Sequence, residues 1–415
     1  MATIRYIGEA PLVAQVDTIT PGGTIESGDI FILTITGYDG TSHAVTFAAT
    51  STTVANVTAG LTAAWNIATH ALCTPITAAD ETTHMTLTAD VAGVAFSVAA
   101  TTTEANGEAA DDQTLIRAAG TANSGPKDWS VATNWDGGAV PGGAGSQDVY
   151  IENYTGDILY GLNQSGIANT LASLNIDQSF TGKIGTNGAT GHSGTYLQNK
   201  ATAWNIGDHD GPGSPIGSGR LLLDSGSTAA TFTITNTGTA TDSYKPTVRI
   251  LANSASTAVI IKKGNVGIAF ESGETTTVGT ITEGYTNVVG TDSNLFIGAG
   301  VTLTTLTKTG GDCVLGCAVT TATNDGGNMT TTGSGAITTL NVNSGTVKSN
   351  SSGTITALNV QENGIADFTK SAAARTVTTA KVDPSGKIMY DPAIVTMTNK
   401  IQPLTASGSI TLSAS

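Results

Sequence analysis

The chain has 415 residues, a net charge of −15 and only 12% charged residues, with 51 glycines and three cysteines. This length exceeds a usual single core, so it predicts several domains or one domain joined to a repeat array. The 17 basic residues form no cluster, which argues against a nucleic-acid partner, because neutralising phosphates requires a basic face. Threonine and valine are common while helix formers are scarce, and this composition favours a mainly β protein.

The cysteines and the N-terminal sequence indicate the cellular compartment in which the protein is expected. Cys313 and Cys317 have no nearby histidine or second cysteine pair, so we expect buried thiols rather than a zinc site or a disulfide framework. Residues 1–6 lack a basic segment followed by an apolar one, and no stretch reaches the roughly eighteen apolar residues of a membrane span. We therefore expect a protein that is made and kept in a cytoplasm without membrane insertion.

Residues 1–122 are predicted to form a small α/β attachment domain. Residues 30–36 and 44–47 read as two strands around a Gly-Tyr-Asp-Gly turn, which indicates a hairpin. Apolar residues at helical spacing from Val54 predict a helix after it. Two further strands, at 85–89 and 95–98, give a ββαββ order with one helix across a small sheet.

The stretch from 101 to 123 is acidic and includes Glu104, Glu108, Asp111 and Asp112. We interpret it as a connecting edge or linker. A cation site is the alternative, but it requires a fixed frame that brings the carboxylates together, so a solvated acidic stretch is favoured.

Residues 123–160 are predicted to form a tryptophan-rich cap that leads into a solenoid. Trp129 and Trp135 precede a Gly-Gly-x-x-Pro turn and an apolar strand at 148–151. An open solenoid end exposes its apolar interior and unpaired strand edges, which bulky rings can cover. Carbohydrate stacking by the two indoles is the rival interpretation, and the core strand that follows them favours the cap.

Residues 161–383 carry a short repeated motif that predicts a right-handed parallel β-helix, that is, a β-solenoid. Copies start at residues 171, 303, 319, 337, 355 and 377, and the last five starts are 16, 18, 18 and 22 residues apart. Apolar residues at i, i+3 and i+5 require a bend after the first of them. The predicted core is Leu171, Leu174, Ile176, Leu303, Leu306, Ile337, Leu340, Val342, Ile355, Leu358 and Val360.

Two segments break the repeat. The stretch 181–215 is predicted to be an inserted loop, and residues 384–415, with Pro392 and Pro403, a terminal cap or oligomerisation segment. The carboxylates after residue 160 are scattered singly in turns, where Asp favours turn formation, rather than paired at hydrolase separation.

One dense spot remains, Asp208, His209 and Asp210, which could hold a cation only if the loop folded around it. No nucleophile elbow, phosphate-binding loop or zinc-ligand spacing is present. The sequence therefore predicts no catalytic residues, no cofactor and no metal.

Several motifs resemble known proteins. Gly-Asp-x-Phe-x-Leu-Thr-Ile, Thr-Val-Ala-Asn-Val-Thr-Ala-Gly-Leu and Leu-Thr-Ala-Asp-x-Ala-Gly-Val-Ala-Phe resemble small domains of tailed-bacteriophage virion proteins. Asn-Trp-x-Gly-Gly-x-Val-Pro is similar to the start of solenoids in phage proteins and bacterial surface passengers. The resemblance implies a virion structural protein, either a capsid decoration protein (cement or head fibre) or a fibre. Such proteins are often homotrimers bound to a major capsid protein or another virion protein.

The sequence leaves two further functions open. One is a tail fibre or tailspike-type protein that attaches to the host by gripping a surface glycan with a solenoid face or the 181–215 loop. The other is a depolymerase. The scattered carboxylates weaken the enzyme, and the lack of an export signal weakens a cellular adhesin.

Overall fold

The structure is a computed structural model that describes residues 2–104, 112–143, 145–189, 192–208, 220–237, 246–284 and 293–404. The N-terminal part of this described chain contains a helix, α1 (Val54–Ile67), and short strands. The strands are Ala2–Arg5 (β1), Val16–Gly23 (β2), Ile30–Thr36 (β3), Ser42–Ala48 (β4), Ile76–Asp80 (β5), Met85–Ala89 (β6), Ser97–Thr103 (β7) and Gln113–Thr121 (β8).

The α/β unit consists of β2 to β8 and α1. Its strands form two antiparallel sheets, in the orders β5-β6-β2-β8 and β4-β3-β7. The helix starts after Thr53, whose hydroxyl accepts a hydrogen bond from the Asn56 amide at 3.3 Å. It buries Leu61 and Trp65 in the core of the unit.

The unit differs from the predicted ββαββ order, because β2, β5 and β8 are additional strands. Strand β2 ends in Pro-Gly-Gly, which reads as a turn in the sequence. Strand β8 buries only Gln113 and Leu115, so it lacks the alternation that identifies a strand. The predicted linker at 101–123 therefore contains the end of β7 and all of β8, while residues 105–111 lie outside the described residues.

The remaining strands wind through two long sheets. They are Gln147–Ile151 (β9), Leu171–Ile176 (β10), Leu197–Gln198 (β11), Ala201–Ile206 (β12), Leu221–Asp224 (β13), Thr231–Ile234 (β14), Val248–Leu251 (β15), Asn253–Ile261 (β16), Gly264–Ile268 (β17), Thr276–Glu283 (β18), Ser293–Ile297 (β19), Val301–Lys308 (β20), Asp312–Leu315 (β21), Val319–Asn324 (β22), Asn328–Thr331 (β23), Ile337–Val342 (β24), Thr346–Ser349 (β25), Ile355–Val360 (β26), Ile365–Asp367 (β27), Arg375–Val382 (β28), Lys387–Met389 (β29), Val395–Met397 (β30) and Gln402–Pro403 (β31).

The two sheets are parallel throughout and have the arrangement of a β-solenoid. Even-numbered strands from β10 to β30, with β1, β9 and β31, form a 14-stranded sheet. Odd-numbered strands from β11 to β29 form a 10-stranded sheet. From β11 onward each coil adds one strand to each sheet, so successive copies of the motif stack in register, as in Ile337 beside Ile355 and Leu340 beside Leu358.

Stacking in register produces columns of buried side chains. One column in the long sheet runs through Leu174, Trp204 and Phe232, with the last two rings stacked at 5.1 Å between centroids. All eleven predicted core residues are buried and belong to one continuous apolar cluster. At the place where a bend is expected, the pairing register is interrupted: Thr338, the second residue of the motif, is not paired with either neighbouring strand.

The N-terminal strand belongs to the solenoid and not to the α/β unit. Strand β1 pairs with β9 in parallel, and an antiparallel bridge joins Val13 to Ser124. The α/β unit is therefore an insertion between the outermost strand of the long sheet and the cap, with its two ends side by side. Sequence could not reveal this pairing, because four residues carry no periodicity.

The α/β unit also contacts the side of the solenoid. The Tyr38 and Tyr160 rings lie 5.1 Å apart, and the Thr195 hydroxyl donates to the Tyr38 carbonyl at 2.6 Å. The Ala189 amide donates to the Asp39 carbonyl at 2.9 Å. The turn between β3 and β4 is therefore held against the solenoid chain.

The strand positions correct one predicted segment and describe part of another. The stretch 181–215 is not one inserted loop, because β11 and β12 lie within it and Trp204 is buried in the core. The segment from 384 onward contains β29, β30 and β31, which extend both sheets. Its last residues, 405–415, lie outside the described residues.

Replacing Leu340 by Asp should lower the free energy of unfolding by at least about 3 kcal/mol, because an unpaired charge would be buried between coils. Thr338→Asp, on the exposed side of the same strand, is the matched control and should change it by less than about 0.5 kcal/mol. Urea unfolding followed by circular dichroism measures both, and equal losses would contradict the inward assignment of Leu340.

Candidate functional site

The two cap tryptophans lie inside the first coils of the solenoid. Trp129 and Trp135 are buried, in T-shaped contact at 4.7 Å between ring centroids, and Tyr6 packs on Trp135 at 4.9 Å. Asn134, also buried, donates to the Gly125 and Asp128 carbonyls at 2.9 and 2.7 Å. Buried indoles cannot stack on a sugar from solution, so the geometry favours packing over carbohydrate binding.

Three carboxylates that are far apart in sequence converge on the edge of the first coils. Asp177 follows the inward Ile176, and Glu152 follows Ile151, which pairs with Ile176 in the neighbouring coil. Burial, then the charges of Asp208 and Glu152, raises the pKa of Asp177 to about 6. The sequence does not show this cluster, although Glu152 and Asp177 each directly follow the inward residue that ends a strand, and Asp208 stands two residues after Ile206.

An ion pair links this cluster to the N-terminal strand. Glu152 accepts a hydrogen bond from Arg5 Nε at 2.5 Å, so the cluster ties β1 to the following coils.

Asp208 belongs to this edge. It accepts a hydrogen bond from the Gln178 amide at 3.1 Å, across neighbouring coils. His209 and Asp210, its partners in the predicted cation site, lie outside the described residues. The three cysteines are buried free thiols, and burial raises the pKa of Cys317 to about 11.

A polar trio interrupts the apolar interior of the solenoid. The last inward position of the long sheet is Ile or Val in most coils, but Glu283, Lys308 and Asn324 occupy it in three successive coils. All three are 0% exposed. Sequence alone does not show them as inward, because charged residues are almost never fully buried unless paired.

The contacts of the trio are unequal. Lys308 Nζ donates to the carbonyls of Gly310 and Gly326, at 2.6 and 2.9 Å, and to that of Gly311. These three acceptors match the three donors of an ammonium group. Glu283 accepts from the Ser293 hydroxyl at 3.0 Å, and its Oε2 has no hydrogen-bond partner among the described residues. Burial raises the pKa of Glu283, and the Lys308 charge opposes that shift.

A surface groove of about 550 Å³ lies on the described solenoid. It spans successive coils, and its polar lining includes Asp224, Ser227, Asn253, Thr275, Thr277 and Thr302. Thr276, also in the lining, is 3% exposed, and its hydroxyl has no hydrogen-bond partner among the described residues. Hydroxyl and amide groups, with the Asp224 carboxylate and no lysine or arginine, suit a neutral, hydroxyl-rich ligand.

Comparisons with known proteins identify no relative: no family model, curated protein or solved structure matches the chain. No helix in the described part of the chain is both long and apolar enough to span a membrane.

Asp177→Asn should raise the free energy of unfolding at pH 8 by about 1 to 2 kcal/mol. This range is smaller than the full pKa shift implies, because the carboxyl is only partly buried. A carboxyl with a raised pKa is most favourable to the fold at low pH and loses that advantage as the pH rises through about 6. At pH 4 the gain should disappear, because Asp177 is then protonated. Urea unfolding at both pH values tests this, and a variant less stable than the natural chain at pH 8 would contradict it.

The polar trio predicts unequal effects for Lys308 and Glu283. Lys308→Met should lower the free energy of unfolding by about 3 kcal/mol or more, because it leaves three carbonyls and a buried carboxyl without their cation. Glu283→Gln should cost less than about 1 kcal/mol, because it keeps an acceptor for Ser293 and burial already favours the neutral form. Denaturation midpoints at pH 7 measure both, and the reverse order would refute the assigned roles.

Proposed function

We propose that this chain is a non-enzymatic structural component of a tailed-phage virion, and specifically a capsid decoration protein of the cement or head-fibre type. Two observations support it. The N-terminal and Asn-Trp-x-Gly-Gly-x-Val-Pro motifs resemble virion proteins, and two long parallel sheets form a stiff body. In this proposal the α/β unit binds the particle and the solenoid projects from the shell or lies on it.

The distribution of exposed apolar side chains is the observation that carries the attachment role. In the described chain the large apolar residues with the greatest exposure are concentrated in the α/β unit and the segments beside it. They are Ile7, Leu12, Ile67, Val91, Val94 and Ile116, against Ile260 alone in the solenoid. Exposed apolar side chains favour protein contacts, whereas the threonine-rich faces of the solenoid suit contact with water.

Further features belong to the same proposal. We infer a right-handed coil, because parallel strands joined by crossovers are right-handed in nearly all known cases. The partner is a major capsid protein or another virion protein, and the chain assembles as a homotrimer on particles formed in the host cytoplasm. The net charge of −15 makes nucleic acid an unsuitable partner and keeps the threonine-rich surface soluble.

A receptor-binding fibre is the second candidate, and the groove favours it. In that case the groove at Asn253 and Thr277 holds a neutral host glycan without cleaving it, since Asp224 is the one carboxylate in its lining. Incubation of the purified protein with capsular polysaccharide tests for catalysis. Polysaccharide of unchanged length agrees with both candidates, and shortened chains would refute a non-enzymatic role.

Gold-labelled antibodies to the protein should decorate the capsid shell of particles made by the genome that encodes this chain. Electron microscopy of purified particles gives the position. Label confined to the tail tip would replace the decoration role by the fibre role, and unlabelled particles would refute both.

Ile67→Asp should reduce binding of the purified protein to particles that lack it by about tenfold, equivalent to 1.4 kcal/mol. Ile67 is 79% exposed, so the substitution leaves the core intact. Ile260→Asp, on the exposed face of the solenoid, is the matched control and should bind like the natural chain. Co-sedimentation with particles measures both, and a loss confined to the control would overturn attachment through the α/β unit.

A further inference from the structure

Three carboxylates meet at one corner of the α/β unit. Asp29 directly precedes β3, Glu104 directly follows β7, and the pairing of Ile30 with Thr103 holds the two strand ends side by side. Glu26 lies in the turn before β3, where its amide donates to Asp29 Oδ2 at 2.7 Å. One carboxylate oxygen from each of Glu26, Asp29 and Glu104 lies within 4.8 Å of the other two.

Asp29 is the unusual member of this cluster. Its side chain is 0% exposed, and its Oδ1 has no hydrogen-bond partner among the described residues. A buried carboxylate oxygen without a donor is costly, because it has lost its water without gaining a replacement. A bound cation would satisfy this oxygen. None of the described ion pairs places a lysine or arginine beside Asp29.

The spacing fits one particular class of ion. Calcium binds oxygen ligands at about 2.3 to 2.6 Å, so ligands on opposite sides of one ion lie about 4.6 to 5.2 Å apart. Oxygens within 4.8 Å of one another can therefore share a single ion. Glu26 is exposed and Glu104 half-buried, so the site has a path from solvent and room for the further oxygen ligands that calcium takes.

We propose that Glu26, Asp29 and Glu104 form a calcium-binding site that joins the start of β3 to the end of β7. Two of its ligands lie at the ends of paired strands, which supply the fixed frame that an acidic stretch alone lacks. The bound ion compensates the buried Asp29 charge and stabilises the three-stranded sheet of the α/β unit. The proposal is independent of the virion role.

Isothermal titration of the full chain with CaCl₂, after treatment with EDTA, tests the site. We expect one saturable site per chain with a Kd between about 10⁻⁵ and 10⁻³ M, and weaker binding of MgCl₂, which demands octahedral geometry. Asp29→Asn and Glu26→Gln should each weaken calcium binding at least tenfold. Glu81→Gln, which removes an exposed carboxylate elsewhere in the unit, is the matched control and should bind like the natural chain.

Thermal melting gives a second readout. Calcium should raise the melting temperature of the natural chain and of Glu81→Gln, but not that of Glu26→Gln. Because Glu26 is exposed, Glu26→Gln should fold even if Asp29→Asn does not. Absence of saturable calcium binding up to about 10⁻² M calcium, about ten times the highest expected Kd, would overturn the proposal. Equal affinity in Glu26→Gln and the natural chain would also overturn it.

Discussion

The register between successive coils is the constraint on which the rest of the structure depends. In a parallel ladder each inward side chain lies directly on its counterpart in the next coil, about 4.8 Å away, so every coil must supply a compatible residue at the same place. The column through Leu174, Trp204 and Phe232 satisfies it with apolar side chains of different size. Outward positions obey the same register, as in the hydrogen bond from Asn359 to Asn341 at 2.9 Å.

Two features follow from this constraint. A stack of coils has ends, and the cap built from Tyr6, Trp129 and Trp135 covers one of them while β1 occupies the outer edge of the long sheet. A uniform apolar column also allows coils to slip relative to one another, since neighbouring positions are chemically alike. Glu283, Lys308 and Asn324 break that uniformity at one inward position in three successive coils, and buried polar residues are best known for fixing register in this way.

Sequence predicts the fold where the coils are short and regular. Between residues 303 and 382 the apolar positions recur at nearly constant spacing, and the solenoid follows from them. Earlier coils are longer and uneven: Leu171 pairs with Ala201 thirty residues later, so Trp204 and Phe232 show no period in the sequence. The same limit applies to the sites, because Glu152 and Asp177, like Asp29 and Glu104, meet only through strand pairing.

The proposed scaffold role rests on where the charged and apolar side chains lie. In the described solenoid the buried charged side chains, such as Lys308, make structural contacts, and the surface groove offers mainly hydroxyl and amide groups. The α/β unit, inserted at the capped end, carries most of the strongly exposed apolar side chains. Under the proposed function, the α/β unit makes the contacts with the particle and the solenoid is the stiff body.

Cross-linking of introduced cysteines tests the stacking in register most directly. Thr339 pairs with Ala357, and Ala357 pairs with Thr379 one coil further on. Thr339→Cys combined with Ala357→Cys should form an intramolecular disulfide on mild oxidation, because disulfides require Cα atoms about 4.4 to 6.8 Å apart. Thr339→Cys combined with Thr379→Cys spans two coils and should not. Mass spectrometry of the oxidised proteins reads the result, and a disulfide in the second pair but not in the first would contradict the solenoid.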